Sequence, residues 1–175
     1  MLNRLFKPRP AKVAGEALYS AAAAQARSPG FYRADGVADT REGRFELYSL
    51  HVILLLERLK GHGEQGDETA QALMERYIRG LDDAFRDLGV GDVGVAKKVK
   101  KLAEAFYGRA KAFQEAFAAL PERTALEDVI ARTTLEGGEG NVAGLTDYVL
   151  ATRDSLSQQT LDALYAGEVT FEARP

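Results

Sequence analysis

The sequence has no cysteine and no tryptophan among its 175 residues, and it has only two histidines. Without cysteine there are no disulfides, no thiol catalysis and no zinc sites built on thiolates, and two histidines are too few for a histidine-rich metal site. Apolar runs do not exceed five residues, as at 52–56, so a membrane span of about 18 or more residues is excluded. We therefore expect neither a metal nor a cofactor.

The composition predicts one globular domain. A chain of 19.0 kDa buries roughly 70% of its unfolded surface, which is enough for a single core. Residues 1–10 carry positive charges but no following apolar segment, so they do not form a secretory signal. The net charge of −3 argues against binding of DNA by the molecule as a whole. We expect a helical domain over residues 11–170, a flexible tail over 1–10 and a C-terminal tail over 171–175.

The spacing of apolar residues predicts an all-α fold, a single-domain irregular bundle of about six to seven helices. Apolar residues recur in steps of three and four, and no segment shows sustained alternation of apolar and polar residues. Helices are expected to begin near residues 11, 40, 67, 92, 124, 141 and 157. The helix over 40–60 is apolar nearly all round, which is typical of the central helix of a bundle. The intervening segment 28–39 is predicted to be a loop that packs onto the domain.

Several polar residues are predicted to cap these helices. Asp39 and Thr40 precede the second helix, and Glu42 stands in the reciprocal position to Asp39. Thr124 with Glu127 has the spacing of a capping box, and Asn141 is placed to cap the helix that follows it. Ser157 is predicted to begin the last helix.

Two groups of residues suggest chemistry, and both have a structural alternative. Asp82, Asp83 and Asp87 lie close together on one helix and suggest a Mg²⁺ site, but Arg79 and Arg86 have the spacing of ion-pair partners. The interpretation that we favour is ion pairing. His51 lies within the central helix without a nucleophile pattern nearby, so we interpret it as a core histidine and not as a general base.

Charge is unevenly distributed along the chain. The helix over 92–120 is predicted to expose a basic face, formed by Lys97, Lys98, Lys101 and Lys111, whereas residues 64–92 are rich in acids. Such a face can bind the phosphates of rRNA or of anionic lipid, or it can pair with the acidic neighbouring helix. Leu2, Leu5 and Phe6 at the N-terminus suggest a membrane contact, but the interpretation that we favour is a frayed tail.

Local motifs over about residues 15–170 resemble those of the ubiquinol–cytochrome c chaperone family. The first block contains Phe31-Tyr32, then Val-Ala-Asp-Thr at 37–40, Gly-Arg-Phe-Glu at 43–46 and Leu50-His51. The second block contains Leu-Gly-Val-Gly-Asp-Val-Gly-Val at 88–95, the lysines at 97–101 and Ala-Phe-Tyr-Gly-Arg-Ala at 105–110. The order of these motifs matches the family, with Ala38 in place of an expected proline.

The resemblance implies a non-enzymatic assembly factor for ubiquinol–cytochrome c reductase. Mitochondrial members of that family act near the ribosomal tunnel exit and bind newly made cytochrome b together with a small partner protein. This chain looks like a bacterial form because it lacks the mitochondrial type of N-terminal extension. The expected location is the cytoplasm, with peripheral contact at the inner face of the cytoplasmic membrane. The alternative is a lipid-binding module that docks through the basic face.

A chaperone for apolar helices needs an accessible apolar groove, and we expect Phe31, Tyr32 and Tyr107 to line it. The remaining motif residues are expected to be structural, holding the loop against the helices through buried hydrogen-bonded pairs. They are Asp39, Thr40, Arg44, Glu46, His51, Asp92 and Arg109. On this hypothesis Arg44→Ala lowers the melting temperature by several degrees.

Overall fold

The computed structural model describes residues 9–174, and every regular element in that range is an α-helix. Six helices have nine residues or more and two have five. They are α1 (Pro10–Gln25), α2 (Pro29–Arg33), α3 (Arg41–Leu59), α4 (Gly63–Asp87), α5 (Asp92–Ala118), α6 (Thr124–Arg132), α7 (Val142–Gln158) and α8 (Leu161–Tyr165). The all-α prediction is confirmed, with α2 as a short helix inside the segment predicted to be a loop.

Helix α3 is the centre of the bundle, as its sequence predicts. Eleven of its 19 residues are buried, and they include residues on opposite sides such as Val52 and Leu54. The helix begins where the Thr40 hydroxyl accepts a hydrogen bond from the Gly43 N–H at 3.0 Å. Thr40 is therefore the cap. Asp39 precedes the cap residue by one position, so the predicted capping box between Asp39 and Glu42 is wrong.

Helices α1 and α4 lie against each other at short distance. Gly15 permits this approach, because a Cβ atom at that position would lie 2.7 Å from the backbone carbon of Ala72. The Arg76 guanidinium donates to the Glu16 carboxylate at 2.7 Å, and it lies 4.1 Å from the centre of the Tyr19 ring. The small residue at position 15 thus lets polar contacts form along the same interface.

Helices α4 and α5 form a long hairpin joined by residues 88–91. Gly89 has a φ of +75°, the left-handed conformation that glycine adopts at the end of a helix. Helix α4 begins at Gly63, earlier than the predicted start at Asp67. The two longest helices of the chain therefore meet at a narrow tip that is rich in glycine.

One predicted capping box and one predicted helix start are wrong, although α6 begins at Thr124 as predicted. The Thr124 hydroxyl donates to Glu122 at 2.8 Å and Arg123 occupies the cap position without a side-chain hydrogen bond, so no capping box forms. Helix α7 continues through Ser157 to Gln158, and the Thr160 hydroxyl caps α8 instead. The predicted Asn141 cap is confirmed: its side-chain oxygen accepts from the Gly144 N–H at 2.9 Å.

The segment after α8 packs back onto the domain. Phe171 is half-buried, with its ring 5.2 Å from that of His51, and Arg174 forms an ion pair with the buried Asp35. The predicted N-terminal contacts of Leu2, Leu5 and Phe6 lie outside the described residues, and the domain limits stay a prediction. Over residues 9–174, the helices lack the combination of length and apolar character that crossing a bilayer requires.

Candidate functional site

An open apolar groove lies between α3, α5 and α7. Its cavity has a volume of about 410 Å³, within the range of roughly 300–1,000 Å³ typical of ligand pockets. The apolar lining comes from Ile53, Leu56, Ala110, Phe117 and Ala118. We call this cavity the α3–α5–α7 groove, and it is a surface on which an apolar segment of another molecule can be buried.

Charged groups stand along one side of this groove. The Arg153 Nε atom donates to both oxygens of the Glu57 carboxylate, at 2.8 and 3.0 Å. The same guanidinium lies 5.0 Å from the centre of the Phe117 ring. A second cavity of about 460 Å³ shares Glu57 and Arg153 and includes the polar residues Arg58 and His62. The ion pair therefore lies between an apolar recess and a more polar one.

The aromatic residues expected to line a client groove lie elsewhere. Phe31 is fully buried, with its ring centre 4.9 Å from that of Tyr148, so the expectation that it lines an accessible groove is wrong. Tyr32 is half-buried, its hydroxyl donates to the Ala26 carbonyl at 2.8 Å, and burial raises its pKa. Tyr107 is 62% exposed and lines a separate recess between α4 and α5. Only Tyr107 offers a substantial free surface.

His51 is a core histidine with both ring nitrogens satisfied. Its Nδ1 atom lies 2.7 Å from the Leu47 carbonyl oxygen, and its Nε2 atom lies 2.7 Å from the Tyr148 hydroxyl. The Gln25 amide in turn donates to that hydroxyl at 3.0 Å. Burial lowers the pKa of His51 to about 4. The ring is therefore neutral at pH 7, donating from Nδ1 and accepting at Nε2.

The paired motif residues differ sharply in burial. Arg109 on α5 donates to both carboxylate oxygens of the buried Glu46 on α3, so this pair joins two helices and does not hold the 28–39 segment. Arg44 pairs with Asp39 at 2.7 Å, but both side chains are more than half exposed. The expectation of a buried Arg44 pair is therefore wrong, because the start of α3 points this side chain into solvent.

Asp92, Asp82 and Asp83 form ion pairs, whereas Asp87 and the predicted partner Arg79 form none within residues 9–174. The exposed Asp92 at the start of α5 pairs with Arg86 of α4. Arg86 also donates to Asp82 at 2.5 Å, and Asp83 lies 3.7 Å from a nitrogen of Arg76. In the part of the chain that the structure describes, no group of three or more His, Asp or Glu residues is placed to hold a metal ion.

The predicted basic face is exposed on α5. Lys97, Lys98, Lys101 and Lys111 all lie at the surface. Lys111 is 3.9 Å from Glu115, whereas the other three make no ion pair within residues 9–174. None of the four pairs with the acids of α4. The α4 acids that form ion pairs, Asp82 and Asp83, do so with Arg86 and Arg76 of the same helix and not with these lysines.

The sequence does not reveal the groove residues as a site. Leu56, Ala110 and Phe117 belong to the apolar stripes of their helices, and a stripe that packs against a neighbour has the same spacing as one that lines a groove. Their role depends on how far apart α3, α5 and α7 lie, which is a property of the packing.

The fold is an all-α bundle with an open apolar groove at its surface. The sequence profile of the family named Ubiquinol-cytochrome C chaperone matches residues 33–171. Among solved structures, the crystal structure of the Cbp3 homolog from Brucella abortus superimposes with a TM-score of 0.84 at 34% sequence identity, covering 99% of this chain and 97% of that chain. A search among curated proteins found no match.

The chain belongs to the ubiquinol–cytochrome c chaperone family. Family membership supports a role as a chaperone in the assembly of ubiquinol–cytochrome c reductase, and a chaperone role implies a protein that is not an enzyme. The resemblance of the sequence motifs to this family is thereby confirmed.

Proposed function

We propose that this chaperone binds newly made cytochrome b and holds an apolar segment of it in the α3–α5–α7 groove. The observation that carries the proposal is the apolar lining formed by Ile53, Leu56 and Phe117 at an open surface. A client with apolar helices exposes large aliphatic and aromatic side chains until it is assembled. A groove of this volume accommodates side chains from one face of such a helix.

The energetics favour reversible binding. Burial of one large apolar side chain contributes roughly 1.5–3 kcal/mol, part of which offsets the loss of motional freedom on association. Two or three such side chains in the groove give a contact that later assembly steps can displace. The Glu57–Arg153 ion pair at the side of the groove limits the apolar surface and thus the length of segment that is held.

The proposal includes three further contacts that follow from the family. They are the ribosome near its tunnel exit, a small partner protein, and a peripheral site at the inner face of the cytoplasmic membrane. The exposed lysines of α5 support a contact with a phosphate-rich surface, because these side chains are free of the acids on α4. The site of action in this proposal is the cytoplasm of a bacterial cell.

A tagged pull-down from a respiring native host tests the client, with mass spectrometry at low and moderate salt. The groove variant is Ala110→Arg, which places a long charged side chain in the apolar lining. Ala118→Arg is the second variant, since residue 118 is exposed and its replacement does not disturb the core. The matched control is Ala24→Arg at an exposed position of α1.

The wild-type protein and Ala24→Arg are expected to recover cytochrome b, and the groove variants to lose most of it while melting normally. Recovery of cytochrome b by both groove variants at the wild-type level would place the client elsewhere. Absence of cytochrome b from the wild-type sample, with normal reductase content in a deletion strain, would overturn the proposed client altogether.

A further inference from the structure

The tip of the α4–α5 hairpin exposes aliphatic side chains to solvent. Within residues 9–174, four large hydrophobic residues are strongly exposed, and two of them lie here: Leu88 at 49% and Val93 at 88%. Val90 between them is half-buried. We call Leu88, Val90 and Val93 the hairpin tip. Single exposed aliphatic residues are ordinary on protein surfaces, but two within six residues at the end of a projecting hairpin form a local apolar surface.

The hairpin tip stands clear of the rest of the molecule. A Cβ atom added at Gly89 or at Gly91 would meet no heavy atom within 4 Å. Gly89 holds the left-handed φ of +75° that ends α4, and α5 begins at Asp92. The space beside both glycines is therefore open, so a lipid surface can approach the turn of the hairpin.

Cationic side chains follow directly behind the apolar ones. Lys97 lies one turn after Val93 on the same face of α5, and Lys101 lies one turn after Lys97. Together with Lys98 they make no ion pair within the described residues. The Lys98 side chain reaches across the hairpin, since its Nζ atom lies 5.5 Å from the centre of the Phe85 ring of α4.

The acids near the tip only partly offset these lysines. Asp92 is held by Arg86, which also binds Asp82, so this group of three charges has a net charge of −1. Asp87 adds one exposed carboxylate. The three lysines outnumber these two remaining negative charges. Lys97 and Lys101 lie on the exposed face that continues from Val93, whereas Lys98 lies beside α4, over the Phe85 ring.

We propose that the hairpin tip docks on an anionic lipid bilayer, an inference that rests on the peripheral membrane contact of the proposed function. Leu88 and Val93 enter the boundary between headgroups and acyl chains, and Lys97, Lys98 and Lys101 contact lipid phosphates. This combination of a small apolar end and a basic collar is the pattern of interfacial membrane binding. A protein partner fits less well, because the tip has no aromatic anchor and protein interfaces are depleted of lysine. RNA fits less well because nothing at the tip stacks on a base.

This docking places the α3–α5–α7 groove away from the lipid surface. Ala110 lies 17 residues beyond Val93, which is roughly 25 Å along α5. A bilayer contacted by the tip therefore leaves the groove free for a client segment. Membrane docking and client binding use separate surfaces, so each can fail without the other.

The absence of tryptophan from the chain allows a direct test of insertion. Val93→Trp places the only indole at the hairpin tip. The matched control is Val13→Trp, which is 50% exposed on α1. Position 13 lies far from the hairpin tip. The nearby Gly15 packs against Ala72, and Ala72 is about 22 Å along α4 from the end of the helix at the tip. Each protein is mixed with vesicles of phosphatidylcholine alone or with phosphatidylglycerol added, and brominated lipid serves as the quencher.

The indole at position 93 is expected to shift to shorter wavelength and to be quenched on the anionic vesicles only, while the indole at position 13 stays unchanged. Equal responses at both positions, or no response at position 93 at low salt, would overturn the proposal. A response of Val93→Trp on phosphatidylcholine alone would contradict the role of the lysines.

Because tryptophan itself favours membrane interfaces, a second measurement uses no indole. Vesicle flotation compares the wild-type chain with the triple variant Lys97→Gln, Lys98→Gln and Lys101→Gln, and with the double variant Leu88→Ser and Val93→Ser. Each lysine near an anionic surface contributes about fivefold in affinity, so the triple variant is expected to bind on the order of 100-fold more weakly. Lys111→Gln, farther along α5, is the matched control and should bind nearly as wild type.

Two outcomes decide this second measurement. Wild-type binding that weakens in the triple and double variants, while Ala110→Arg still binds, supports docking through the tip. Unchanged flotation of both tip variants, or failure of the wild-type chain to float with anionic vesicles, rejects it. Because all substituted tip residues are exposed, we expect the melting temperatures to be unchanged.

Discussion

His51 makes the stability of the fold depend on pH. The buried ring is neutral and its pKa is lowered to about 4, against an ordinary value of 6.5 in the unfolded chain. Between these values the unfolded chain binds a proton that the folded chain does not. The free energy of unfolding is therefore undiminished above pH 6.5 and falls by up to about 1.4 kcal/mol per pH unit as the pH decreases toward 4.

This dependence is measured by urea unfolding between pH 7 and pH 5, above the range in which most carboxylates titrate. We expect His51→Gln to be less stable at pH 7 but to lose less stability than the wild type over this range. If the free energy of unfolding depends on pH with the same slope in both proteins, His51 has the same pKa in the folded and unfolded chains, which would contradict the prediction. The comparison concerns slopes, so the loss of packing in the variant does not affect it.

The Glu46–Arg109 pair is expected to be far more important for stability than the Asp39–Arg44 pair. Glu46 is buried, so Arg109→Ala leaves an uncompensated carboxylate between α3 and α5. Loss of one partner of a buried pair costs about 3 kcal/mol, or roughly 6–12 °C in melting temperature for a chain of this size. Calorimetry of Arg109→Ala checks this value.

Arg44→Ala is the matched control, because its ion pair is exposed and screened by water. It should melt close to the wild type, in contrast to the several degrees expected from the sequence. A loss for Arg44→Ala as large as that for Arg109→Ala would show that burial is not what distinguishes the two pairs.

At the scale of the helices, Gly15 and Gly108 should respond in opposite ways to alanine. A Cβ atom at Gly15 would lie 2.7 Å from the backbone of Ala72, so Gly15→Ala forces α1 and α4 apart. Overpacking of this kind typically costs about 1–3 kcal/mol. Gly108 lies inside α5 with no atom within 4 Å of its Cβ position, so Gly108→Ala should stabilise by up to about 1 kcal/mol.

Thermal unfolding of both alanine variants measures these effects. A neutral Gly15→Ala would mean that α1 moves freely on α4, and a destabilised Gly108→Ala would mean that the exposed face of α5 has a packing role in the isolated chain. Neither substitution touches the α3–α5–α7 groove.

At the scale of the whole molecule, Arg174 connects the end of the described chain to the segment before α3. Its guanidinium pairs with Asp35, which is fully buried and also accepts from the Asn141 amide at 3.3 Å. Arg174→Ala removes the cation from this buried carboxylate, so we expect the melting temperature to fall by several degrees. Calorimetry should show partial recovery in the double variant with Asp35→Asn.

Arg33→Ala, at an exposed position of α2, is the control for loss of a positive charge. If Arg174→Ala has the melting temperature of the wild type, residues 171–174 are a tail that does not contribute to the stability of the domain, as the sequence suggests. If it melts lower, they are part of the fold.

The sequence predicts the helices well and their ends less well. Apolar residues in steps of three and four identify α3 and α5, because periodicity reflects burial along the whole length of a helix. The capping box at Thr124 and the start at Ser157 failed because a cap depends on a single backbone conformation. At these positions Glu122 and Thr160 provide the competing hydrogen bonds.

The sequence by itself determined the all-α class, the buried position of α3 and, through its motifs, the chaperone family. These properties depend on local spacing and on residue identity, which the chain carries directly. Only the tertiary structure decided that Phe31 is buried, that Arg44 is exposed and that Leu56 and Phe117 line a groove. An apolar residue has the same sequence pattern whether a neighbouring helix covers it or not. Whether it is covered depends on the spatial distance between helices that are distant in sequence, and that distance is set by tertiary packing.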